Sequence, residues 1–81
     1  MSRYKAMIYI TLKEGILDAE GETVKKALIS LGFDVSEVKS GKMYIIEFKC
    51  DKDPEEVVER MCRHLLANPV VNNYKYELEE L

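Results

Sequence analysis

Residues 3–12 alternate with a period of two. Ala6, Ile8, Ile10 and Leu12 fall on one face; Lys5, Met7, Tyr9 and Thr11 fall on the other. That period, carried by β-branched and aromatic residues, specifies an extended strand. The pattern returns twice. Tyr44, Ile46, Phe48 and Cys50 oppose Met43, Ile45, Glu47 and Lys49, and Tyr74, Tyr76 and Leu78 oppose Lys75, Glu77 and Glu79. Each strand therefore has an apolar side that needs a covering layer. Helical stripes elsewhere in the chain are the natural cover.

Two such stripes lie between the strands. Val24, Ala27, Leu28 and Leu31 repeat at i, i+3, i+4 and i+7, one face of a helix. Asp18 precedes them as an N-cap, Glu20 and Glu22 suit the positive end of the helix dipole, and Gly32 follows as a stop. This predicts a first helix over about 19–31. Gly21 in its first turn costs up to about 1 kcal/mol against alanine, which a close backbone approach would explain. The second stripe is Val57, Val58, Met61, Cys62, Leu65 and Leu66. Asp53-Pro54-Glu55-Glu56 starts it with a cap, a proline at the first helical position and a box-like glutamate. Asn68-Pro69 ends it, because the residue before proline avoids the helical region.

Phe33–Lys39 reads as a short further strand with Val35 and Val38 out of phase, which points to a bulge or a late start. Ser40-Gly41-Lys42 then reads as a tight hairpin turn into the strand at 43–50. The resulting order is β-α-β-β-α-β. Two right-handed split βαβ units give a ferredoxin-like α+β fold, a four-stranded antiparallel sheet with both helices on one face. One domain over residues 1–81 is expected, since 81 residues hardly allow two.

The search for chemistry returns little. The single histidine, His64, sits at the edge of the second stripe, and Cys62 lies about 200° around the helix from it, so the two do not chelate one metal. The acidic residues gather at helix starts, where capping and the dipole account for them. No phosphate-binding glycine loop and no nucleophile elbow are present. The two cysteines, Cys50 and Cys62, match no motif spacing and read as reduced thiols. A net charge of −3 and a pI near 5.2 argue against a nucleic-acid binder, whose affinity comes largely from neutralising phosphates. Tyr44, Tyr74 and Tyr76 are in phase with the helix-facing residues, so an aromatic platform for RNA is disfavoured. No run approaches the 18–20 apolar residues of a membrane span, and no export leader is visible. A cytoplasmic protein is expected.

The anomaly is the sheet face without helices. Met7, Tyr9, Met43 and Ile45 belong to it, and adjacent strands would make them one patch. A contiguous apolar patch marks an interface, whereas scattered apolars mean little. Ile16 and Leu17 in the first connector add a second candidate anchor, and Lys39 with Gly41-Lys42 a small basic one. The residues alone lead to a small, self-associating or partner-docking module.

Several segments also resemble a known family. Tyr9-Ile10-Thr11-Leu12-Lys13-Glu14 leads to Leu17-Asp18, Gly21, Val24 and Ala27-Leu28. Leu31-Gly32-Phe33 and Gly41-Lys42 follow. Met61-Cys62 then precedes Leu65-Leu66-Ala67-Asn68-Pro69-Val70-Val71 and Tyr74. The chain closely resembles the PurS family, small subunits of phosphoribosylformylglycinamidine (FGAM) synthase in purine biosynthesis. It departs from the family at Ala19, where proline is frequent, and at Lys39-Ser40, where arginine often precedes the Gly-Lys pair.

The resemblance implies a subunit without catalytic residues of its own. It would form a dimer or tetramer and bridge an ATP-dependent synthetase subunit and a glutaminase subunit, supporting ammonia transfer between them. It implies no cofactor on this chain, with ATP and Mg on the synthetase subunit. The expected contact residues are Met7, Tyr9, Ile16, Leu17, Gly41, Lys42, Met43, Ile45, Asn68 and Pro69. No nucleic acid or membrane is expected as a partner. The competing reading is a stand-alone ACT-like module that senses amino acids beside Gly15, a glycine after the first strand as in such domains.

Overall fold

A computed structural model describes all 81 residues. The elements are β1 (Ser2–Leu12), α1 (Ala19–Ser30), β2 (Gly41–Cys50), α2 (Pro54–Met61), a π-helical turn (Cys62–Leu66) and β3 (Asn72–Glu80). They make an α+β fold with one antiparallel sheet of three strands in the order β2-β1-β3.

The register carries the alternation through the sheet. Ala6 lies opposite Ile46 and Leu78, and Ile8 opposite Tyr44 and Tyr76. These residues share the inner face, where α2 and the π turn pack. Ala6, Ile8 and Ile10 from β1 join Val58, Cys62 and Ala67 in the buried core. β1 is the central strand, so its inner residues are the ones sealed.

The expected fourth strand is absent, and so is the ferredoxin-like sheet that required it. Phe33–Lys39 pairs with no strand. The cause lies in Ser40-Gly41-Lys42. Gly41 already pairs with Thr11, and Lys42 with Ile10, so β2 starts where the hairpin turn was placed and no residues remain to turn the chain. A side chain at Gly41 would have its Cβ 2.6 Å from the Ile10 carbonyl oxygen; the glycine serves a close approach of two strands. Residues 33–40 instead run back beside α1.

The two helices also differ from expectation. α2 covers the sheet, but α1 does not share its face. Residues 13–40 leave the end of β1, carry α1 outward and return to the same end, because Thr11 and Gly41 are neighbours. They form an arm in which only Gly21 is buried. The molecule measures 52 × 27 × 14 Å with a radius of gyration of 16.2 Å, against about 12 Å for a compact chain of this length.

Within the arm the local signals hold. Asp18 caps α1 by accepting from the Gly21 N–H at 2.9 Å. Gly32, at φ +99, closes the other end: its N–H bonds Ile29 O, and the Phe33 N–H bonds Leu28 O, the paired bonds of a Schellman stop. At the end of α2 the helix widens by one residue, with the Ala67 N–H donating to Cys62 O at 2.9 Å. That wider turn rotates Leu65 off the predicted stripe, leaving it 84% exposed while Leu66 packs on the core.

Candidate functional site

The open face of the sheet is built by register. Met7 lies opposite Ile45, and Tyr9 opposite Met43. The four side chains therefore form one patch across β1 and β2, with Met43 and Ile45 half-exposed. Charged residues frame it. Lys5 sits opposite Glu47 and Glu79, Arg3 pairs with Glu47 at 3.2 Å, and Lys75 Nζ stands 5.6 Å from the centre of the Tyr9 ring. An apolar centre inside a charged rim is the anatomy of a protein contact.

The remaining candidate residues gather elsewhere. Ile16 and Leu17 line a cleft of about 450 Å³ at the root of the arm, with Thr11, Lys39 and Ser40. Gly41 and Lys42 line a smaller one of about 230 Å³ with Leu66 and Asn72. Lys42, opposite Ile10, belongs to the inner face and not to the Met43 patch. Asn68 and Pro69 occupy the loop after the π turn. There Asn68 Oδ1 accepts from the Val70 N–H at 3.0 Å, and its own N–H donates to Asn72 Oδ1 at 2.9 Å. These bonds set the loop that returns the chain to β3, whose first residue ties back to Thr11 O.

The arm root is held by one carboxylate. Asp18 Oδ2 accepts the Ser40 N–H at 2.7 Å, and Asp18 Oδ1 accepts the Ser40 hydroxyl at 2.6 Å. One side chain thus caps α1 and clasps the returning leg. The Ser40 hydroxyl and then the Ser40 and Gly21 N–H groups hold its carboxyl below the usual range. Gly21 lies under this clasp. A Cβ there would come within 2.5 Å of Asp18 Oδ2 and 2.6 Å of Val38 O, so the close approach that the sequence suggested is real.

The titratable groups do structural work. Tyr74 donates its hydroxyl to Glu59, which joins α2 to β3. That bond lowers the Glu59 carboxyl and raises the Tyr74 phenol. Burial, then the Glu59 carboxylate, pushes Tyr76 up to about 12. Burial raises the Cys62 thiol, which suits an inert core cysteine. Both cysteines are free, and His64 is exposed. No three His, Cys, Asp or Glu side chains are placed to hold a metal ion, and no buried side-chain polar atom lacks a partner.

Sequence reasoning missed much of the exposed apolar surface. Val24 and Leu31 lie on the stripe expected to cover the sheet, yet they are 42% and 74% exposed on the arm, followed by Phe33 at 59%. Nothing in a helical stripe tells which molecule its apolar face covers. Leu65 is exposed because of the π turn, for which the residues give no signal, and Val70 is exposed in the loop that follows.

Comparison with known proteins gives consistent results. The family profile described as PurS, phosphoribosylformylglycinamidine (FGAM) synthase, matches residues 5–80. The FGAM synthase subunit PurS of Methanocaldococcus jannaschii is 44% identical over 81 residues, covering 96% of this chain and 98% of the relative. The solved structure of Thermus thermophilus PurS superposes with a TM-score of 0.87 at 44% identity, covering 98% of both chains. A chain in the structure of PurLQS from Thermotoga maritima superposes with a TM-score of 0.80 at 31% identity over the full length of both.

Proposed function

Since the chain belongs to the PurS family of FGAM synthase subunits, we propose that it joins a synthetase and a glutaminase subunit into a glutamine-dependent ligase of purine biosynthesis. The observation that carries this reading is the match over residues 5–80, with relatives of the same length. The PurLQS assembly of Thermotoga maritima contains a chain of this fold, which supports partnership with both other subunits. In this reading the chain contributes contact surface and supports ammonia transfer, while ATP and Mg reside on the synthetase subunit. It self-associates as a dimer or tetramer and works in the cytoplasm. No helix is long and apolar enough to cross a membrane.

The accessible surface favours a covered state. The chain exposes 6139 Å², about 1100 Å² more than the roughly 5000 Å² expected of a folded 9.4 kDa chain. A standard interface takes about 800 Å² per partner. The patch Met7, Tyr9, Met43 and Ile45, the arm residues Ile16 and Leu17, and the Gly41-Lys42 and Asn68-Pro69 segments are the contact candidates.

The deciding experiment is reconstitution of FGAM synthesis with and without this chain, driven by glutamine or by high free ammonia. Loss of the glutamine-driven reaction alone supports coupling. Equal loss of both, or of neither, defeats it.

A further inference from the structure

The end of α2 holds two adjacent leucines and one place for them on the core. At about 100° per residue, an unbroken α-helix from Pro54 would carry Leu65 to within about 20° of Val58, the centre of the buried stripe, and Leu66 to about 80° from it. The structure does the reverse. The Ala67 N–H donates to Cys62 O at 2.9 Å, five residues back. This wider turn seats Leu66 on the core and leaves Leu65 84% exposed. A π turn amounts to one extra residue in a helix, and such turns recur at functional sites. Here the residue displaced into water is a leucine.

We propose that this turn is a register switch in which Leu65 and Leu66 compete for one place. The π register seats Leu66 and turns Leu65 out; the α register seats Leu65 and turns Leu66 to the edge. Three features permit the exchange. The backbone bonds are replaced and not lost, since in the α register the Leu66 N–H takes Cys62 O and the Ala67 N–H takes Arg63 O. Leu66 borders a cleft of about 230 Å³ with Ile10 and Leu12, so a side chain can leave or enter without the overpacking a filled core would impose. The one-residue slip falls in the exposed loop Asn68 to Val70, where Pro69 has no N–H to lose.

The loop also holds the π register in place. The Asn68 N–H donates to Asn72 Oδ1 at 2.9 Å, the Val70 N–H to Asn68 Oδ1 at 3.0 Å, and Ala67 is buried. The two registers present different outer surfaces. In the π register Leu65 projects from a turn whose Arg63 and His64 are exposed as well; in the α register it is withdrawn. A contact made through Leu65 therefore favours the π register by its differential affinity, and the α register removes that contact.

Methyl NMR of the complete chain tests the switch. In the parent, Leu66 methyls should show NOEs to Ile10 and Leu65 methyls none, while relaxation dispersion at both leucines reports a minor state of about 0.1–10%. Asn68→Ala removes one loop bond outside the core and should raise that population several-fold. Leu66→Ala vacates the place, and the Leu65 methyls should then gain NOEs to Ile10. A folded L66A chain whose Leu65 methyls stay clear of Ile10 overturns the switch. Should L66A fail to fold, the dispersion decides: its absence from both the parent and N68A overturns the switch, and its growth in N68A supports it.

Discussion

The sheet body and the arm are built from the same kind of sequence and end in opposite states. In the body, apolar alternation meets the α2 stripe, and Ala6, Ile8, Val58 and Cys62 lose contact with water altogether. In the arm, an equally regular stripe caps correctly, stops correctly and stays wet. Local signals, then, decide where a helix forms. The partner of its apolar face is decided by how the connections direct it.

The largest effect should come from the body. Ile8→Ala removes buried carbons beneath α2 and is expected to cost about 2–5 kcal/mol, read as a fall in the denaturation midpoint of the whole chain. A loss below 1 kcal/mol would mean that the core described here is not what stabilises the protein. Next comes the arm root. Gly21→Ala places a methyl against Asp18 and Val38 O, and overpacking of this kind costs about 1–3 kcal/mol. Its signature is faster amide exchange at Ser40 and Gly21, with the Ile8 amide unchanged. Equal acceleration in both regions would show that arm and body unfold together, and the contrast drawn above would fail.

This contrast marks what the residues disclose. The three paired strands, both helix starts, the Gly32 stop and the open patch follow from period and capping, which are local. The fourth strand fails on a single placement. Ser40-Gly41-Lys42 has turn composition, but Gly41 is a glycine because β1 passes 2.6 Å from where its Cβ would be. A turn glycine and a close-approach glycine look alike in sequence. The direction of the arm fails for a related reason. It depends on Asp18 reaching Ser40, 22 residues away, and no local pattern encodes that bond. Family resemblance supplied the function, since contact surfaces carry no motif of their own.

Acid and alkali separate the two regions again. Asp18 is depressed in the fold, so its contribution is present above its unfolded value near 4 and is lost as pH falls through the lower folded value. Below pH 4 the Ser40 amide should lose protection relative to its intrinsic exchange rate at the same pH, and Asp18→Asn should remove most of that dependence. Tyr76 is raised from 10 to about 12. Its contribution is complete below pH 10 and is lost between 10 and 12, as the unfolded phenol ionises first. Denaturation at pH 9 and pH 11 should show body stability falling over that window. Tyr76→Phe should flatten the slope without touching the arm.

The smallest expected effect is the one that distinguishes a fold residue from a contact residue. Arg3 and Glu47 form an ion pair on the open face, both more than half exposed. Such pairs contribute between 0 and about 1 kcal/mol, so Glu47→Gln should leave the denaturation midpoint of the isolated chain almost unmoved. If the face around Met7 and Ile45 receives a partner subunit, Glu47 belongs to its charged rim, where substitutions act on association rate and its salt dependence. Binding kinetics of the variant with the synthetase and glutaminase subunits at low and high salt would read this. An altered rate at low salt, with stability intact, would assign the open face to assembly. Rates equal to the parent's at every salt concentration would remove Glu47 from the contact and leave the assembly role to the other surfaces.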